Sequence, residues 1–256
     1  MKAYITPIEN TCNARCTFCI TQSKKETCFG RVLNINHLSR LENLKDIDTF
    51  EVSGGGEPLL HPQINNILSW CCLRKPTILY TNGSLLHRLD PAIAVNLKSL
   101  TISHHHYLPS KRLQIMGVSL KDKSLRQLID LGVSVKLTLV LIKSGISSCA
   151  DLIHYLDWAK TIGIKKVQVR QLFDFNYSPE TFADFVSTAP ILQQIAQKYR
   201  LKIQKKKYST IIWKGITVEF EGEKCACSSG APNLRADGNI YLGWTKELLS
   251  KKYFQL

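Results

Sequence analysis

A strand-sized apolar segment followed by a helix-sized one recurs along this 256-residue chain, and no other feature limits its fold so tightly. Lys2–Pro7 reads as a strand and His37–Lys45 as a short helix. Thr49–Ser53 and Thr77–Thr81 are the next strands, separated by a helix over Pro62–Leu73 whose Ile64, Ile67, Leu68 and Cys71 fall at helical spacing. A short helix runs from about Pro91, and Ser99–Ser103 is the fourth strand. A helix over Ser119–Leu131 is closed by Gly132, strand five spans Val133–Ile142, a helix over Asp151–Ile162 is closed by Gly163, and strand six is Lys165–Leu172. Ser178-Pro179-Glu180 starts a further helix, which Pro190 breaks or restarts. Six β-α units in series predict an α/β fold with a parallel sheet and right-handed crossovers. Residues 1–200 form that unit, and residues 201–256 form a small C-terminal extension that closes it, with two strands around Lys214-Gly215.

Alternation within the strands adds a second constraint. Val135, Leu137, Leu139 and Leu141 oppose Lys136 and Thr138; Val167 and Val169 oppose Gln168 and Arg170. Leu100 and Ile102 oppose Thr101 and Ser103, with His105 continuing the polar face, and Phe50 and Val52 oppose Glu51 and Ser53. Apolar faces pack under helices, so the polar faces line one shared interior. A complete barrel fills its interior with branched apolar side chains, so an open, incomplete barrel is expected.

The chain is 44% hydrophobic, and its apolar stretches, such as the end of Leu137–Ile142, are no more than strand-sized. The first residues lack the apolar stretch of a signal peptide, and nine cysteines make an odd number. A reducing, cytoplasmic setting is expected, with no membrane, and clustered cysteines then read as metal ligands or catalysts. The net charge is +14. Residues from Lys198 onward carry 12 Lys+Arg against 5 Asp+Glu, half of the excess. Such a surface suits anionic partners or is simply a solvated lysine-rich face.

Cys12-Asn13-Ala14-Arg15-Cys16-Thr17-Phe18-Cys19 follows strand one, at the end where (β/α) proteins place their chemistry. Three thiolates on one loop can hold three irons of a [4Fe–4S] cluster and leave the fourth open. The same spacing also fits a buried helix face, redox thiols, or a zinc site with Cys28 as fourth ligand.

The motif resembles the signature of the radical S-adenosylmethionine (SAM) superfamily, with Phe18 as its aromatic residue. Three further features agree: Ser53-Gly54-Gly55-Gly56-Glu57-Pro58 after strand two, Thr81-Asn82-Gly83 after strand three, and Ser103 ending strand four. The resemblance implies a partial (β/α)6 TIM-like barrel. It implies cluster ligation by Cys12, Cys16 and Cys19. It implies SAM binding by Phe18, Gly55, Gly56, Glu57, Pro58, Thr81, Asn82 and Ser103. It also implies reductive SAM cleavage to a 5′-deoxyadenosyl radical that abstracts a substrate hydrogen, with electrons from a flavodoxin- or ferredoxin-type partner. Within the superfamily the chain looks nearest to the GTP 3′,8-cyclase and viperin-like branch. Lys136 and Val169-Arg170-Gln171-Leu172 resemble substrate-binding segments there. The auxiliary-cluster motif is incomplete, with Cys225-Ala226-Cys227 in its place, so one cluster is expected.

Lys136, Arg170 and His105 are therefore the candidate substrate residues, and a small anionic substrate, a nucleotide or phosphorylated compound among them, is the leading expectation. The alternatives are RNA, a ribosomally made peptide, or a zinc-stabilised RNA-binding module using Lys202–Tyr208. Of His104-His105-His106, two are expected to be exposed and His105 to line the mouth. Cys71, Cys72 and Cys149 read as core.

Overall fold

The computed structural model describes residues 1–19, 30–172, 183–205, 207–221, 230–244 and 248–249. Six strands alternate with helices as the sequence predicts: β1 (Lys2–Ile5), β2 (Thr49–Val52), β3 (Thr77–Thr81), β4 (Ser99–Ser103), β5 (Val135–Leu141) and β6 (Lys166–Gln171). Each pairs in parallel with the next, giving the partial TIM barrel. Leu100, Ile102, Leu137, Leu139, Leu141, Val167 and Val169 are wholly buried beneath the helices, the apolar face that alternation required.

The helices are α1 (Ile64–Cys72), α2 (Pro91–Ala94), α3 (Pro109–Met116), α4 (Asp122–Asp130), α5 (Cys149–Ile162) and α6 (Thr188–Lys198). The expected helix at 37–45 is a 3-10 helix over Ile35–Leu41, and α3 had no counterpart in the sequence reading. Ser148 and Asp151 cap α5 reciprocally, and Gly163 ends it in the left-handed conformation (φ 96°). Of the two expectations for Pro190, a break or a restart, α6 fits the restart: the proline sits in its first turn, where its missing N–H has no intrahelical partner to lose. Ser178–Glu180 lies outside the described residues.

The extension joins the same sheet at both flanks. Strands β7 (Gln204–Lys205), β8 (Ser209–Trp213) and β9 (Ile216–Phe220) form a meander whose β9 runs parallel to β6. Strand β10 (Pro232–Leu234) runs parallel to β1, and β11 (Ile240–Leu242) pairs antiparallel with it. The order is β11-β10-β1-β2-β3-β4-β5-β6-β9-β8-β7, an open sheet with eight parallel strands at its centre. Among the described residues, no helix is long and apolar enough to cross a membrane.

Candidate active site

The cysteine loop is held by Thr11, just before it, and by the residues between its cysteines. Thr11 O accepts the Glu57 N–H at 2.9 Å, and a Cβ at Gly56 would collide with that same carbonyl. Asn13 accepts at Oδ1 from Asn82 Nδ2 (2.9 Å) and donates from Nδ2 to Ser84 Oγ (2.8 Å). The Arg15 and Thr17 N–H groups donate to Met116 O (2.7 Å) and Ile115 O (3.2 Å), two of the carbonyls that the end of α3 leaves without helical partners. The loop is thus clamped between the turn after β2, the turn after β3, and α3.

The three cysteines are free thiols, Cys12 exposed and the other two partly buried. Burial, reinforced by the neighbouring thiols, pushes Cys16 up to about 12. Burial also raises Cys12, against hydrogen bonds from Ala14 and Asn82. Cys12 and Cys16 are therefore protonated at neutral pH, and a cationic metal centre is what converts such thiols to thiolates. No three described His, Cys, Asp or Glu side chains converge on a single-ion site. A cubane takes its thiolates differently, each meeting its own iron, and three cysteines on one loop are the donor types it uses. The donor set therefore fits a [4Fe–4S] cluster.

The glycine turn divides into two parts. Ser53–Gly56 is half-exposed, whereas Glu57, Pro58 and Leu59 are buried. Gly54 has φ 153°, and a Cβ there would lie 2.7 Å from Thr6 Cγ2, so the close approach to β1 requires glycine. The Glu57 carboxylate accepts from Thr81 Oγ1 (2.6 Å), Asn82 N–H (2.7 Å) and Leu59 N–H (3.1 Å). Burial raises its proton affinity against these three donors. Its side chain is committed to the chain itself.

All three histidines of the triple are buried, contrary to the expectation of two exposed ones. The chain beyond β4 stays bonded to β5 through His104 N–H and Thr138 O, and the helices cover it. The His104 ring stacks on Trp158 at 4.4 Å. His106 accepts from the Leu108 N–H. His105 faces the interior as expected, its ring edge-on to Phe18 at 4.8 Å and its Nδ1 accepting from Val140 N–H at 3.1 Å. Burial, and then Arg170, lower it to about 3, so it is neutral with its proton on Nε2. Phe18 and Cys16 pack on a small apolar cluster of Ile115, Met116, Ile142 and Leu172, separate from the main core.

The polar interior has more carboxylates than Glu51. Glu51 meets Lys2 Nζ (3.0 Å) and Tyr80 OH (3.2 Å). Glu219 meets Lys166 (2.8 Å), and Glu221 pairs with Arg170 Nε. Lys136 Nζ donates to Gln168 Oε1 at 3.1 Å and pairs with no described carboxylate. Burial lowers its proton affinity. Glu219 and Glu221 went unread because the register of β9 against β6 is not a local property of the sequence. Cys28, Cys225 and Cys227 lie outside the described residues.

A parallel half-barrel with its cysteine loop and glycine turn at the same mouth has the fold of the radical SAM enzymes. SuiB from Streptococcus suis, solved bound to S-adenosylmethionine, superposes with a TM-score of 0.70 at 16% identity, over 97% of this chain and 62% of SuiB. The chain thus spans under two thirds of that enzyme's length. AnSMEcpe with bound AdoMet and the Cp18Cys peptide gives 0.62 at 16% identity, over 99% and 76%. TYW1 with a lysine-pyruvate adduct gives 0.51 at 13%, over 78% and 74%. No protein-family model and no curated protein sequence matches the chain. These likenesses do not favour the GTP 3′,8-cyclase and viperin-like branch.

Proposed function

We propose that this chain is a radical SAM enzyme in which Cys12, Cys16 and Cys19 hold a [4Fe–4S] cluster. In this reading Gly55, Gly56 and the ends of β3 and β4 at Thr81, Asn82 and Ser103 hold SAM, and the interior receives the substrate. The observation that carries the reading is the interlock of the cysteine loop with the two turns, through Thr11–Glu57 and Asn13–Asn82. When bound, the cluster supplies the electron that cleaves the sulfur–C5′ bond of SAM and releases a 5′-deoxyadenosyl radical. The electron comes from a flavodoxin- or ferredoxin-type partner. Glu57 and Asn82 fix the two turns relative to each other. Phe18, Ile115, Met116, Ile142 and Leu172 keep water from one side of the cysteine loop. His105 offers a neutral Nε2–H donor beside Phe18.

The substrate in this reading carries one anionic group, met by Lys136. Arg170 is a weaker candidate than the sequence suggested, because Glu221 already answers it. The remaining lining is a neutralised mixture of Lys2–Glu51, Lys166–Glu219 and Arg170–Glu221, which suits a polar chain better than a polyanion such as a nucleotide. A peptide with an acidic residue is therefore the favoured substrate class. The peptide complexes of SuiB, with precursor SuiA, and of anSMEcpe, with Cp18Cys, support it by analogy. Anaerobic reconstitution should give about four irons per chain and, with SAM and a strong reductant, 5′-deoxyadenosine. A chain that takes up no iron overturns the reading. Lys136→Ala should leave this substrate-free cleavage intact and abolish acceleration by acidic peptides. Acceleration by nucleotides alone would favour the small-anion alternative.

A further inference from the structure

Arg112 lies on α3 with its side chain 3% exposed, an uncommon place for a charge. Its Nη1 donates to His104 Nε2 and its Nη2 to the Leu120 carbonyl, and Asp122 Oδ1 stands 4.0 Å away. His104 is held in turn by stacking on Trp158, whose Nε1 donates to Asp122 Oδ2 at 3.1 Å. The Tyr155 hydroxyl fixes the His104 carbonyl at 2.9 Å. Yet Arg112 Nε and His104 Nδ1 are buried with no hydrogen-bond partner. Burying a guanidinium with one nitrogen unpaired is costly, and what offsets the cost is the pair of partners it joins: His104 just beyond β4 and the Leu120 carbonyl beyond α3.

What α3 carries suggests its use. Four residues beyond Arg112 the helix ends at Met116, and its Ile115 and Met116 carbonyls hold the cysteine loop through Thr17 and Arg15. Gly117 then turns left-handed (φ 68°), and a Cβ there would press on Arg15 at 3.3–3.4 Å. His104 itself lies between Ser103 and His105, which face the same mouth. Arg112 therefore ties the frame of the cysteine loop to the end of β4, where SAM and substrate are placed in the proposed reading.

We infer that Arg112 is a positioning residue: through α3 it sets the cysteine loop against the end of β4. The inference rests on the proposed cluster reading for its importance, but not for its test. In metal-free, reduced chain, alkylation of Cys16 by iodoacetamide, read by peptide mass spectrometry, should be slow. It should rise about tenfold in Arg112→Lys, which keeps the charge but lacks the two-pronged donor. In reconstituted protein the same variant should retain about four irons. Its SAM affinity should fall about tenfold, and the change in the reduced cluster's EPR spectrum on SAM addition should weaken. Gly117→Ala perturbs the other end of the same connection and should reproduce both effects, which covers the case where Arg112→Lys does not fold. Wild-type alkylation rates and SAM affinity in the folded variants would overturn the inference. A wild-type chain that binds no iron would instead remove the cluster reading and leave the alkylation result to decide the positioning role.

Discussion

Glu57 Oε2 receives the Asn82 backbone N–H at 2.7 Å, and this bond joins the turn after β2 to the turn after β3. The Asn82 side chain is thereby free to reach the cysteine loop. Its amide nitrogen meets Asn13 Oδ1 at 2.9 Å and lies 3.8 Å from Cys12 Sγ. The Glu57 carboxylate, expected from the resemblance to contact SAM, brackets the turns after β2 and β3, and Asn82 carries that bracket on to the cysteine loop.

Glu57→Gln should expose that role. Glutamine keeps one acceptor oxygen and presents an amide NH2 where Glu57 receives N–H and O–H donors. At least one of three buried donors then loses its partner, a cost of about 1–3 kcal/mol. Thermal melts should show this loss, and equilibrium dialysis of reconstituted protein should show weakened SAM binding. A variant equal to wild type in both would remove Glu57 from the site.

Replacing Cys12, Cys16 or Cys19 singly with Ala should leave a folded chain, because Cys12 is exposed and the other two only partly buried. Each variant should bind less iron than the wild type's expected four or so per chain, and each should yield no 5′-deoxyadenosine. Undiminished product from all three would reject them as cluster ligands.

Much of this architecture is legible in the sequence, because β4, β5 and β6 alternate and α5 carries a capping box and a left-handed glycine stop. Asn82 and His105 could be placed from sequence because Asn82 directly follows β3 and His105 lies two residues beyond β4. The parallel pairing of β10 with β1 is not legible: Tyr4 meets Asn233 across more than two hundred residues, and three-residue strands carry no periodicity. Nor is the register of β9 against β6 legible, so Glu219 beside Lys166 and Glu221 beside Arg170 were not expected. Helix α3 was missed because it buries only Arg112, Ile115 and Met116, so its inner face begins with a charge. Pro109 and Gly117, at its two ends, were the available signals.

Arg170 and Glu221 should behave as a pair. Arg170→Ala leaves a carboxylate, itself 9% exposed, without its cation. A fully buried broken pair costs about 3–5 kcal/mol, but the Arg170 side chain is 43% exposed, so solvent screening reduces the loss to about 1–2 kcal/mol. Glu221→Gln combined with Arg170→Ala should recover most of it in urea unfolding. If Arg170→Ala is instead neutral in stability but abolishes turnover of a peptide substrate, the guanidinium serves substrate rather than β9.

His105 should make the fold acid-sensitive. Its folded value is lowered from 6.5 to about 3, chiefly by burial and then by Arg170. Between those values the unfolded chain binds a proton that the folded chain refuses, so stability rises with pH across that window. The contribution is complete above 6.5 and is lost progressively as pH falls toward 3. At pH 5 the loss amounts to about 2 kcal/mol, at 1.36 kcal/mol per pH unit. His104, also lowered by burial, acts in the same direction. Glutamine at position 105 can accept the Val140 N–H and does not titrate. Urea unfolding of metal-free, reduced His105→Gln should therefore show a smaller stability difference between pH 7.5 and pH 5.0 than the wild type shows. Equal pH dependence in the two proteins would mean that His105 takes up its proton in the folded state and is not the neutral donor that its contacts with Val140 and Phe18 describe.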